Sequence, residues 1–139
     1  MSGRGEARNE AARAMFGADR ASKSLGMRLV RAEPGAAVVE MTVGPLMVNG
    51  HGIAHGGFVF TLADTAFACA CNVDGRGVTV ASGADITFVA PAREGDLLVA
   101  TAEERTVFGR SGVYDVTVRR GDEVIAEFRG RSRTLPARS

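Results

Sequence analysis

Both histidines of the chain, His51 and His55, fall in one run, Asn49-Gly50-His51-Gly52-Ile53-Ala54-His55-Gly56-Gly57, and an aspartate, Asp64, follows it closely. Gly56 and Gly57 are expected directly ahead of a helix, because the stretch that follows them contains neither Gly nor Pro. The first N–H groups of a helix lack intrahelical acceptors and sit at the positive end of its dipole, so such a site polarises a carbonyl or holds an oxyanion. Asp64 lies two turns inside that helix, too deep to cap it. Amid Phe60, Ala63 and Phe67 it is expected to be partly desolvated, with a pKa raised toward that of a general base or nucleophile. The same pattern also fits a structural carboxylate bonded to a neighbouring hydroxyl or across a subunit contact. His55 fits a capping imidazole as well as a chemical group. The spacing of His51 and His55 suggests a metal pair, but the glycines between them break helical register and no Glu or Cys completes a ligand set, so no metal is expected. Other nucleophiles fare worse. There is no Gly-x-Ser-x-Gly elbow, and Cys69 and Cys71 have no positioned basic partner. On a helix those two thiols point about 200° apart, which rules out a disulfide between them and leaves them as small buried apolar residues.

These groups need elements to hold them. Phe58 to Val73 reads as one long helix, dense in Ala, Phe and Leu. Its Thr61, Asp64, Thr65, Ala68 and Asn72 fall within about 60° of a common direction, a polar stripe expected to face a crevice. Phe58, Leu62, Ala66, Cys69 and Val73 take the opposite side, expected to face a sheet. Met27–Ala32 and Ala36–Val43 flank Glu33-Pro34-Gly35 and read as an antiparallel hairpin. Val78–Val89, Leu97–Phe108, Gly112–Arg119 and Val124–Thr134 are β-branched runs separated by Pro91, Gly95, Gly109 and Gly121, read as four successive antiparallel strands. A short helix is expected from about Glu6 to Met15. The fold class is therefore α+β: a long central helix wrapped by a curved antiparallel sheet, with a short N-terminal helix.

At 139 residues the chain has the size of one domain, and with a net charge of +1 it lacks the general electrostatic pull toward nucleic acid. Residues 1–24 are read as an N-terminal helical or flexible segment, 25–135 as the domain and 136–139 as a flexible tail. Met1 to Phe16 contains no apolar run suited to a signal peptide or membrane span, so a cytoplasmic protein without membrane association is expected.

Taken together, Asn49-Gly50-His51, His55-Gly56-Gly57 and Thr61-Leu62-Ala63-Asp64 resemble the PaaI-type acyl-coenzyme A thioesterases of phenylacetic acid degradation, members of the hot-dog-fold superfamily. Asp64-Thr65-Ala66-Phe67-Ala68, Cys71-Asn72, Val80-Ala81-Ser82, Ile86-Thr87-Phe88, Gly112-Val113-Tyr114-Asp115 and Phe128-Arg129-Gly130 extend the resemblance from near Asn9 to near Arg133. It implies the hot-dog fold, homodimers joined sheet edge to sheet edge, and dimers paired into tetramers.

The resemblance also implies site roles. Gly56 would polarise the thioester carbonyl through its N–H, with Gly57 beside the substrate. Asp64 of the facing subunit would activate water or attack directly, and Asn49 and His55 would orient carbonyl or water. Phe88, Val89, Ala90, Pro91 and Arg93, with the hairpin at Gly109-Arg110, would lie along coenzyme A. There Arg93 and Arg110 stand near its phosphates or else as solvated turn residues. Some relatives carry a water-binding Ser where this sequence has Ala81; Ser82 beside it is a candidate, although strand alternation directs neighbours to opposite faces. The implied reaction is hydrolysis of phenylacetyl- or hydroxyphenylacetyl-coenzyme A without any cofactor, coenzyme A being part of the substrate. A hot-dog enoyl-coenzyme A dehydratase or hydratase and a noncatalytic acyl-coenzyme A binding module are the alternatives. Only hydrolysis releases the free thiol.

Overall fold

Pro34-Gly35 reverses the chain between β1 (Arg28–Glu33) and β2 (Ala36–Thr42), with Gly35 at φ 80°, a backbone region that residues with a Cβ avoid. The computed structural model describes residues 8–137, so the expected start of the first helix at Glu6 and the last two residues of the expected tail lie outside the described residues. Four further strands follow: β3 (Thr79–Phe88), β4 (Leu97–Phe108), β5 (Ser111–Arg120) and β6 (Glu123–Thr134). Their bounds agree with the β-branched runs because the glycine turns end each run. All pairings are antiparallel and join the strands into one sheet in the order β1-β2-β4-β5-β6-β3.

That order corrects one expectation. The last four strands are not a simple meander, because β3 pairs with β6 rather than with β4. The connection from Phe88 to Leu97 carries the chain from one edge of the sheet to its middle, and β3 closes the far edge. Alternation along a strand identifies a buried face without naming the neighbouring strand.

The long helix α3 spans Gly56–Cys71 and buries Val59, Leu62, Ala63, Ala66, Phe67 and Ala70 against the concave face of the sheet. Alternate residues of β5, including Tyr114, Val116 and Val118, supply that face. Gly130 makes room for the Phe67 ring, since a Cβ there would stand 2.9 Å from it. The opposite face of the sheet is polar, with Asp115 receiving Arg129 through a two-pronged contact at 2.7 and 2.9 Å. This is the hot-dog arrangement, a helix wrapped by a curved sheet.

Two short helices cover the remaining side of α3. α1 (Glu10–Gly17) begins later than the Ala-Arg-Glu composition suggests, because Asp74 accepts from the Glu10 and Ala11 N–H groups at 3.0 and 2.6 Å and so marks its first turn. α2 (Arg20–Ser24) was not anticipated; its signal is Asp19, whose side chain accepts from the Ser22 N–H. No helix among the described residues is long and apolar enough to cross a membrane.

Candidate active site

His55 determines where α3 begins. Its backbone is extended (φ −63°, ψ 132°) and its Nδ1 accepts from the Gly57 N–H at 2.9 Å, so the imidazole is the N-cap. Gly56 and Gly57 therefore occupy the first turn rather than preceding the helix. Gly57, expected beside the substrate, has its N–H committed to His55. The Gly56 N–H has no acceptor among the described residues and is the donor available at the positive end of the helix.

The loop ahead of the helix is held from several directions. His55 N–H donates to Met47 O at 2.7 Å and Ala54 N–H to Ala92 O at 2.8 Å. Asn49 Oδ1 accepts from the His51 and Ile53 N–H groups at 2.9 and 3.3 Å. Because those backbone groups are donors, the carbonyl end of the amide must face them, which turns the Nδ2 donor away from the loop. Val89 N–H donates to Ile125 O at 2.8 Å and brings the end of β3 onto the same region.

Between these segments lies a cleft of about 500 Å³ that Asn49, Gly56, Phe88, Val89, Ala90 and Pro91 help to line. All six were expected at the site from the sequence. Val59 and Ile125 add to its apolar wall and are not among the residues expected from the sequence; Val59 stands one helical turn beyond Gly56, whereas Ile125 reaches the cleft through strand pairing that the sequence does not display. Phe88 lies so close over Gly56 that a Cβ there would stand 2.9 Å from its ring tip, so any larger residue at 56 displaces the exposed Phe88 ring from the cleft.

Other expected site residues lie elsewhere. Ser82 sits at the β-bulge between Ala81 and Gly83, exposed, with its hydroxyl donating to Arg131 O at 3.1 Å, and does not line the cleft. Arg93 follows the lining residue Ala92, and its side chain is exposed near the cleft rim. Gly109 and Arg110 do not join it. They follow β4 whereas Arg93 precedes it, which puts about 37 Å of strand between them. Arg110 O instead accepts from Thr134 N–H, near the strand ends by the C-terminal end of α3. One chain therefore does not bring Arg93 and Arg110 to a single phosphate.

The polar stripe of α3 resolves into structural groups and one exception. The Thr61 hydroxyl donates to Gly57 O at 2.8 Å. Thr65 is buried against Ser22, with 2.8 Å between the hydroxyl oxygens. Asn72 is buried, its amide exchanging bonds with Thr79 N–H and O, both at 2.9 Å. The expectation that the whole stripe faces a crevice is corrected, because α1, α2 and β3 take up its buried members. Asp64 remains half-buried with no hydrogen-bond partner among the described residues. Burial first, and the Asp19 carboxylate second, hold its pKa above the ordinary aspartate value. Cys69 and Cys71 are free and buried, and burial pushes both thiols up to about 12, which fits inert apolar packing.

Within one chain Gly56 and Asp64 are eight residues apart on α3, a rise of about 12 Å. A carbonyl held at the Gly56 N–H is therefore out of hydrogen-bond reach of the same chain's Asp64.

The sequence pattern of the Thioesterase superfamily matches residues 51–127. The chain is 45% identical over 125 residues to the acyl-coenzyme A thioesterase PaaI of Escherichia coli, covering 89% of each protein. It is 36% identical over 95 residues to human acyl-coenzyme A thioesterase 13, covering 67% of this chain and 68% of that one. The solved structure of the E. coli PaaI protein, from the phenylacetic acid degradation operon, superposes with a TM-score of 0.88 over 92% of this chain and 93% of that one, at 43% identity. A mutant of the phenylacetic acid degradation protein PaaI from Thermus thermophilus does so with a TM-score of 0.81 at 35% identity, covering 84% of this chain and all of that one.

Proposed function

The chain belongs to the thioesterase superfamily, and from that membership we propose that it is an acyl-coenzyme A thioesterase built to work as a dimer. The observation that carries this reading is a helix-start N–H at Gly56, in the wall of an apolar cleft, together with a half-buried carboxylate at Asp64, neither of which has a hydrogen-bond partner among the described residues. The acyl group enters the cleft and its carbonyl oxygen accepts from Gly56 N–H, with the Asn49 Nδ2 donor nearby to orient it. Asp64 takes a proton from water as the water oxygen bonds to the carbonyl carbon. Collapse of the tetrahedral intermediate breaks the C–S bond and releases the thiolate of coenzyme A, a good leaving group that needs little acid assistance. The raised proton affinity of Asp64 strengthens it as a base toward water and equally as a nucleophile in direct attack. No cofactor is required.

The 12 Å rise between Gly56 and Asp64 requires the carboxylate to come from a second copy. The β3 edge of the sheet is open to pairing and exposes Val78, Val80, Phe88 and Val89, and Phe88 is also part of the cleft. A partner seated on β3 covers this apolar row and reaches the cleft rim. Arg93, at that rim, is the cation placed to meet a phosphate of coenzyme A. The similarity to PaaI proteins supports phenylacetyl- or hydroxyphenylacetyl-coenzyme A as substrate, and the apolar walls from Val59, Ile125 and Phe88 suit an aromatic acyl group.

A panel of acyl-coenzyme A esters assayed for free thiol tests class and substrate together. Thiol release with preference for aryl-acetyl esters is expected. Hydration of an enoyl ester without thiol release would replace hydrolysis by hydratase chemistry, and saturable binding with neither product would make the protein a binding module.

A further inference from the structure

Asp19 lies 45 positions from Asp64 in the sequence, yet the fold links it through Ser22 to Thr65 on the same stretch of α3. Its carboxylate caps α2, with Oδ1 accepting from Ser22 N–H at 2.9 Å and Oδ2 from the Ser22 hydroxyl at 2.6 Å. The Ser22 oxygen in turn lies 2.8 Å from the Thr65 hydroxyl. The direction of this chain follows from counting protons. A carboxylate only accepts, so the Ser22 hydrogen is spent on Asp19, and Thr65 must donate to Ser22. Thr65 and Ser22 are both buried, which fixes the chain, and Thr65 is the immediate neighbour of Asp64.

We propose that Asp19 is a positioning residue for the proposed base, holding a second negative charge beside Asp64 through the Thr65–Ser22–Asp19 hydrogen-bond chain. This rests on Asp64 being the base. Burial alone raises the proton affinity of Asp64, and the like charge of Asp19 raises it further, the direction in which a base becomes stronger.

Most of the other charges around α3 are engaged elsewhere, and Arg20, next to Asp19 at the start of α2, is exposed. On α1, Arg13 lines a separate cleft with Phe16 and Leu29. On α2, Lys23 donates to Gly17 O. The strands pair Arg28 with Glu40, Asp85 with Arg131, and Asp115 with Arg129 and Arg105. Glu104 is engaged with Arg76. On α3 itself the Cys69 and Cys71 thiols, raised to about 12, are neutral at working pH.

Asp19→Asn separates charge from structure. Asparagine caps a helix as well as aspartate does, and its Nδ2 can donate to Ser22 while its Oδ1 accepts from the Ser22 N–H, so the chain persists with its protons reversed. Asp19→Ser is the second neutral cap, should the amide pack poorly. In either variant the acid limb of the kcat/KM profile is expected to move to lower pH, and the Asp64 carboxyl followed by NMR is expected to titrate at lower pH than in the unsubstituted protein. A limb and a titration that stay in place in folded, active variants overturn the proposal and leave Asp19 a helix cap only. Asp64→Asn, run in parallel, isolates the underlying reading: full activity there removes Asp64 from the chemistry, whereas its loss together with an unmoved Asp19→Asn profile rejects the role of Asp19 alone.

Discussion

The two ends of α3 are treated in opposite ways. At its C-terminal end the polar side chains near the last turn are engaged among the described residues. Asn72 bridges Ala68 O and both backbone groups of Thr79, and Asn9 donates to Asn72 O at 2.6 Å while accepting from Asp74 N–H at 2.9 Å. Arg76 donates to Glu104 and to the buried Tyr114 hydroxyl, which itself donates to Glu104 at 2.8 Å. At the N-terminal end a single imidazole caps one N–H, and the Gly56 N–H is left facing an apolar cleft. An unsatisfied donor costs stability when buried and does useful work only when a substrate oxygen arrives. The helix thus devotes one terminus to holding the fold and leaves the other incomplete for chemistry.

The sharpest way to break this contrast is to remove the functional carboxylate. Asp64→Asn is nearly isosteric, so turnover is expected to fall by at least ~100-fold while the melting temperature changes little. Steady-state thiol release and calorimetry on the same sample check both halves. Gly56→Val is expected to cost activity more than stability, because the new side chain meets the Phe88 ring at the cleft. Equal losses in kinetics and melting would make Gly56 structural. If the two groups act across a dimer, co-refolded Asp64→Asn and Gly56→Val chains regain up to about half of wild-type activity per heterodimer, since one site carries both lesions and the other neither. Tagged heterodimers that are present by mass spectrometry yet inactive would place each site within one chain.

The opposite end should respond the other way round. Asn72→Ala strips the partners from buried Thr79 N–H and O, and a loss of about 2–4 kcal/mol in stability is expected from those unsatisfied groups. kcat of the folded fraction should stay within about twofold of wild type, because no step proposed here passes through that terminus. Denaturant titration and kinetics below the unfolding transition measure the two quantities separately. A large kcat effect would mean that the two ends are coupled.

Much of this contrast was legible in the residues. Glycine turns and β-branched runs marked every strand to within about two residues, and the Gly-rich run with Asp64 marked the chemistry. What could not be read was partnership across distance. Strand alternation shows which face of β3 is buried but not that its neighbour is β6. Helical periodicity aligned Thr65 and Asn72 with Asp64, yet only the packed structure shows Ser22 and Thr79 taking them out of the crevice. The same limit concealed Asp19. Arg93 and Arg110 were assigned together through the resemblance, and the length of β4 separates them.

The smallest expected effect concerns stability against pH and follows from the sign of the Asp64 shift. Its folded pKa lies above the unfolded value near 3.8, so between those two values the native state binds the extra proton. The slope of unfolding free energy with pH is then negative: the contribution of this group is fully present below the unfolded pKa and is lost as pH rises through the folded one. At neutral pH an ionised, unpaired and half-buried Asp64 is therefore a net cost to the fold, retained for its chemistry. Asp64→Asn carries no such charge, so its melting temperature is expected to equal or slightly exceed that of the wild type at pH 7. The advantage should shrink as pH falls toward the ordinary aspartate range, where both side chains are neutral. Paired melting curves across that range read the difference directly. An Asp64→Asn protein that is less stable at neutral pH and gains on wild type on acidification would show Asp64 to be a stabilising, partnered carboxylate, and would align this part of α3 with its structural C-terminal end.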